Sequence, residues 1–228
     1  MQARMHVPKL SYVNKILIIS ISVLFLLNAI IQMASGAYLS HLLSLSGGFF
    51  FKGHIYQLVT YPFMATGIFE VVFDCLILWF IGSELEEMWG RQRYMMFLGV
   101  SAVVGGLLFL GVSSFLSAWV SLKGPTAFTY PLLMAYSILF PTRTLFLLFF
   151  PIQAKWFCLI IFAMQLYQGI FSPAGVGAWG SIGAMVAGYG FMLYVSRNQF
   201  RKPKTKRKKS HLRLVEDDDD DEPPKIWQ

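Results

Sequence analysis

The chain has 228 residues, of which 56% are hydrophobic and only 14% charged. A soluble domain this apolar would lack the polar surface needed to stay dissolved, so the composition excludes an ordinary soluble enzyme or binding module. The net charge of +7 comes from one short tail rather than a basic face, which favours a lipid surface over nucleic acid as its partner.

Taken in chain order, the first predicted span is Ile16 to Ala34, preceded by Arg4, Lys9 and Lys15. A spanning helix needs about 20 mostly apolar residues, and this run supplies them. A secretory signal with Ala34-Ser35-Gly36-Ala37 as its cleavage site is the alternative, although the run is long for a signal core and further spans follow. A loop from Ser35 to about Thr66 carries Lys52 as its one lysine, arginine or acid. Its Phe49, Phe50, Phe51, Tyr56 and Tyr61 suit the headgroup region, so it is expected to lie partly within the membrane surface.

The second span is expected over Ile68 to Ile81, closed by Glu84, Glu86, Glu87, Arg91 and Arg93. The third runs from Tyr94 to Val120. It contains Gly99, Gly105, Gly106 and Gly111, small residues that let helices approach closely in lipid. Lys123 marks the next break. The fourth span begins near Gly124 and ends at Phe140, and the apolar stretch Leu145 to Ile152 reads as interfacial because Pro151 interrupts it. The fifth covers Lys155 to Phe171. The sixth covers Ala178 to Ser196 and contains Gly180, Gly183, Gly188 and Gly190. Cys75 and Cys158 fall inside apolar runs and read as small buried hydrophobes.

Nine of the nineteen Lys and Arg lie between Arg197 and Arg213, and seven of the twelve Asp and Glu between Glu216 and Glu222. Blocks of like charge do not pack, so residues 197–228 are expected to form a disordered tail. Anionic headgroups are a possible partner for its basic half, residues 197–213. The fold class is therefore an all-α integral membrane protein with six spans over residues 16–196, a short N-terminal segment 1–15, and that tail. An even number of spans with basic residues at both ends places both termini in the cytoplasm, and a bacterial inner membrane is the expected location.

Within the spans only two acids remain, Glu70 and Asp74, four residues apart and so on one helix face. A carboxylate at the centre of a span costs about 2.5–3.5 kcal/mol, and such residues usually face the bundle interior and mark a site. Glu70 is near the start of its span, where the outer interface is an alternative position.

Several segments together resemble the rhomboid superfamily of intramembrane serine proteases. They are His54-Ile55-Tyr56-Gln57 through Tyr61-Pro62-Phe63, Phe73-Asp74-Cys75 through Ile81-Gly82 with Glu84-Leu85-Glu86 and Gly90, Gly124-Pro125-Thr126-Ala127 through Phe140-Pro141, Phe149 through Trp156, and Gly183-Ala184 with Ala187-Gly188. The resemblance implies a six-helix bundle with a lateral groove through which a transmembrane helix enters. It also implies a serine nucleophile in a Gly-x-Ser-Gly motif, a histidine base in the sixth helix, and a His and an Asn in the second helix that help form the oxyanion hole. Here those positions are Thr126, Ser181, Glu70 and Asp74, with Gly124 opening the motif.

Each change works against proteolysis. A threonine hydroxyl attacks only if something takes its proton, and Ser181 is no base at neutral pH. The four histidines, His6, His41, His54 and His211, all lie outside the expected spans. Carboxylates where donors belong would repel a developing oxyanion, and Pro125 removes a backbone N–H close by. The expected function is a catalytically inactive rhomboid-like protein that binds transmembrane segments of other membrane proteins as an adaptor, chaperone or retention factor. Its binding residues would be Glu70, Asp74, Gly124, Thr126 and Ser181, with no cofactor and no metal. One alternative is an active protease using Thr126 with Glu70 or Asp74 as base. Another is a proton- or cation-linked function of the two carboxylates, for which no inverted repeat gives support. Thr126 and Ser181 also have an ordinary role as hydroxyls bonded within or between helices.

Overall fold

The computed structural model describes residues 9–35, 39–116, 120–147, 150–172 and 175–200. Six helices carry the architecture. They are α1 Tyr12–Ser35, α2 Ile68–Trp89, α3 Arg91–Phe115, α4 Thr126–Leu139, α5 Ala154–Phe171 and α6 Val176–Phe200. Helix α2 widens into a π-helical stretch over Leu78–Gly82. Residues 197–200, expected to open the disordered tail, instead continue α6, while the rest of the tail from residue 201 and the signal-like Gly36-Ala37 lie outside the described residues.

Helices α1, α3, α5 and α6 are each long and apolar enough to cross a membrane. Helix α2 adds a fifth span when taken with Gln57–Phe63, to which it is bent by 96°. Helix α4 has only 14 residues. At 1.5 Å per residue that is about 21 Å, short of a hydrocarbon core of about 30 Å. By length and composition the described residues thus supply four or five spans where the sequence suggests six. The shortness of α4 has a physical reason. Its Phe128, Leu132, Leu133, Ala135 and Tyr136 are buried against neighbouring helices, so protein surrounds it and it need not reach both membrane surfaces.

Peripheral and central helices separate by burial. Only 6% of the most apolar window of α1 and 11% of that of α5 is buried, against 44% in α3 and 50% in α6. The centre is therefore α3, α4 and α6. A Cβ on Gly105 of α3 would come within 2.7 Å of the Gly180 carbonyl oxygen in α6, and one on Gly188 within 2.9 Å of Pro131 in α4. Gly99, Gly111 and Gly190 meet nothing within 4 Å, so they are not part of this close packing.

Two expectations are corrected. The second helix does not stop at Ile81 but continues two turns through Glu84, Glu86 and Glu87. The stretch Leu145 to Ile152 is part of a β-hairpin, β3 Thr144–Leu147 with β4 Phe150–Gln153, in which Leu145 faces Ile152 and Pro151 faces Phe146. A two-stranded hairpin tolerates proline because an edge position needs no ladder donor there. The domain is thus predominantly rather than wholly helical.

Helix α2 extends because Glu86 is satisfied in the interior. Its carboxylate, 4% exposed, accepts hydrogen bonds from the Val13 N–H at 3.2 Å, the Asn14 N–H at 3.3 Å and the Ser11 hydroxyl at 2.5 Å. The two N–H groups are donors that the start of α1 leaves without intrahelical partners, so Glu86 caps α1 from a neighbouring helix. Tyr94 of α3 donates to Asn14 Oδ1 at 2.6 Å, which brings the third helix into the same cluster. Nearby, Arg143 is paired with Glu84, and that hydrogen bond holds its guanidinium above its usual pKa.

The first loop is held over the opposite end. Buried Gln57 donates to the Leu42 carbonyl at 3.2 Å and accepts from the Ser46 N–H at 3.3 Å. Strand β1, Leu45–Ser46, pairs antiparallel with β2, Ser121–Leu122, tying the loop to the entry of α4. Phe49, Phe51 and Tyr56 stay exposed, as side chains at a headgroup boundary would, whereas Tyr61, expected there too, is buried with its hydroxyl on the Ala102 carbonyl at 2.7 Å.

Glu86→Ala should lower stability by about 1–3 kcal/mol, because it strands buried donors at the start of α1. Gly105→Val should cost about as much by overpacking the α3–α6 contact. Denaturant or thermal unfolding of the purified protein in detergent measures both, with Gly99→Val as the neutral comparison.

Candidate functional site

Helix α4 begins at Thr126, directly after Gly124-Pro125. The Pro125 carbonyl accepts the N–H groups of Phe128 at 2.8 Å and Thr129 at 3.1 Å, so the proline starts the helix without needing a donor of its own. Gly124 precedes it at φ +124°, a conformation that other residues rarely adopt. Its N–H reaches the Tyr61 carbonyl at 3.2 Å, which fixes the entry of α4 against the bend before α2.

The same glycine brings two predicted site residues together. A Cβ at position 124 would lie 2.6 Å from Glu70 Oε1 and 3.4 Å from Thr126 Oγ1. Glu70 sits in the first turn of α2 and its Oε2 accepts from the Thr66 N–H at 2.8 Å and the Thr66 hydroxyl at 2.6 Å. Thr66 stands just before the N-cap Gly67, so Glu70 ties the chain entering α2 to the first turn of the helix. Asp74, one turn further, is 4% exposed. Its Oδ1 accepts from the Thr129 hydroxyl at 2.8 Å, and its Oδ2 has no hydrogen-bond partner among the described residues.

Both carboxylates line a cleft of about 290 Å³ between α2 and α5, with α4 as its floor. Phe69, Phe73 and Ile77 come from α2, Thr126 and Tyr130 from α4, and Phe157 and Ile161 from α5. Ser181 is buried in α6 but is not part of this lining. No hydrogen bond joins Thr126 to Ser181 or to either carboxylate among the described residues. His41 and His54 belong to the first loop, away from the cleft, and no group of three metal-binding side chains occurs among the described residues.

A family model described as the Rhomboid domain matches residues 52–198, well over half of the chain. The chain belongs to the rhomboid family. With its apolar helices, membership makes it an integral, multi-pass membrane protein. No curated protein matches it. The matched region begins in the first loop and runs to the end of α6, so the cleft between α2 and α5 lies wholly within the rhomboid domain.

In this rhomboid domain, Glu70, Asp74, Gly124 and Thr126 form one constellation, while Ser181 stands apart from the cleft. Thr129 was not singled out in the sequence, although its spacing carried a signal. It follows Thr126 by one helical turn and therefore shares its face. Tyr130, Phe157 and Ile161 carried none, because apolar residues in a span look alike whether they line a cleft or face lipid.

Thr129→Val should destabilise the fold by about 1–3 kcal/mol, since it removes the described hydrogen bond of a buried carboxylate. Pairing it with Asp74→Leu should recover most of that loss, because replacing both buried partners by apolar groups is often neutral. A double-mutant cycle read by unfolding checks the sign, and a double variant less stable than Thr129→Val would contradict it.

Proposed function

We propose that this rhomboid domain is a pseudoprotease that binds transmembrane helices of other membrane proteins in the cleft between α2 and α5 without cutting them. The carrying observation is the arrangement around Thr126. The groups in the cleft able to take its proton are Glu70 and Asp74, and neither is hydrogen-bonded to it: Glu70 Oε2 is turned to Thr66 and Asp74 Oδ1 to Thr129. A nucleophile needs a base within hydrogen-bond reach, and an oxyanion needs donors. Here two acceptors stand beside the hydroxyl instead. Helix binding asks for less, namely an apolar groove open to the side and a few polar groups, and the cleft supplies both.

The proposal keeps six membrane-crossing segments over residues 16–196, with α4 completing the set as a short, protein-enclosed helix. It also keeps both termini in the cytoplasm. The start of α1, the end of α2 and the start of α3 meet in the Glu86 cluster, and Arg91 and Arg143 lie at that end with Lys9 and Lys15 close in sequence. Lys123 precedes α4 at the opposite end. Basic residues concentrate on the cytoplasmic side of membrane proteins, which supports this orientation. The tail, 197–228, then lies in the cytoplasm with its basic half beside anionic headgroups.

Incubating the purified protein in lipid vesicles with a generic transmembrane substrate should yield no cleavage product above background. Product formation that disappears in Thr126→Ala would overturn the proposal in favour of a threonine protease.

A further inference from the structure

We propose that the cleft selects transmembrane helices that carry a lysine or arginine within about two turns of their outer end. This rests on the helix-binding reading above and adds to it the chemistry of the client. The second observation beyond the carboxylate pair is the state of Asp74. It is a cleft-lining side chain, 4% exposed, with one oxygen held by Thr129 and the other without a partner among the described residues. A buried acceptor left empty in an apolar surround is costly, and a ligand that fills it gains accordingly.

The surround decides what kind of group fits. Phe73, Phe157 and Ile161, each partly buried, give the cleft an apolar wall that weakens competition from water, while Glu70 adds a second carboxylate one turn towards the outer end. Glu70 and Asp74 are separated by about 6 Å along α2, so one ammonium or guanidinium set between them reaches both. A lysine brings three donors and no acceptor, and an arginine five donors in a planar fork. An aspartate or glutamate in the client would meet two acceptors and be rejected, so the same pair supplies discrimination against acidic helices. Depth follows from geometry. Asp74 stands about 9 Å along α2 from Ile68, and a long basic side chain covers such a distance while its backbone stays in an ordinary helix.

The test uses the full chain in lipid vesicles with a host transmembrane segment of about 20 Leu and Ala residues. The segment bears a photoreactive group and one guest, Leu, Lys or Asp, in the second turn from its outer end. Crosslinked peptides are mapped by mass spectrometry. The Lys guest should be captured at α2 or α5 roughly tenfold more than the Leu guest, and the Asp guest less than Leu. That Lys-to-Leu ratio should fall to about one in the Glu70→Gln/Asp74→Asn protein, and Glu70→Lys, at a half-buried position, should shift the preference to the Asp guest. Equal capture of Lys and Leu guests by the unaltered chain overturns the selection while leaving helix binding intact. A Lys preference that survives both variants overturns it as well. Capture of no guest at α2 or α5, Leu included, overturns the helix-binding reading itself.

Discussion

The Glu86 carboxylate is the constraint on which the rest of the bundle hangs. It is buried near the end of α2 and takes the free N–H groups at the start of α1, while Asn14 passes the connection on to Tyr94 of α3. Three helices therefore meet at one charged group whose acceptors are engaged. Removing such a group costs more than its net contribution suggests, because its partners are left buried and unpaired. The π-helical stretch over Leu78–Gly82 fits the same constraint, since Gly82 passes so close to Asn14 and Tyr94 that an added Cβ would lie 2.7 and 2.6 Å from their oxygens. With the lower half of α2 fixed in rotation, its upper half presents Glu70, Asp74 and Ile77 to α4 and α5.

Much of this was legible in the sequence. The long apolar runs gave the positions of α1, α3, α5 and α6 to within a few residues, because in lipid the backbone has few alternatives to the helix. The ends of α2 and α4 were less legible. Glu84, Glu86 and Glu87 look like a water-exposed stop, and only the tertiary cluster reveals that one of them is interior. Gly124-Pro125 reads as the beginning of a span, yet the helix it begins is short and wrapped in protein. The hairpin 144–153 was missed because a short apolar run without clear periodicity fits an interfacial segment equally well. At the site, the carboxylates stood out because charge is rare in these spans. Their separate partners, Thr66 and Thr129, were invisible without the fold.

The two carboxylates differ in what they offer. Glu70 is half-buried and tied to its own helix start, a local interaction that stabilises α2. Asp74 reaches across to α4 through Thr129, while its second oxygen is buried without a hydrogen-bond partner among the described residues. The fold thus carries a buried acid that is satisfied on one side only. A structural role explains the first contact and leaves the second oxygen without one.

The cleft is bounded on its far side by α5, and the fastenings of that helix bear on how anything enters. Its N-terminal end is joined to the loop after α4 by the Ala154 N–H on the Arg143 carbonyl at 3.0 Å. Its middle is held by Gln165 on the Tyr130 hydroxyl at 3.1 Å, and its C-terminal end by Trp179 of α6 on the Gly169 carbonyl at 3.2 Å. A helix pinned at three heights cannot swing as a door does without breaking at least one of these bonds. For a helix to enter as proposed, the lining side chains, Phe73 and Phe157 among them, would have to give way, and their rotation is far faster than helix displacement. On the helix-binding reading proposed above, the opening would act as a brush seal rather than a hinged gate, parting for an apolar helix and closing again behind it.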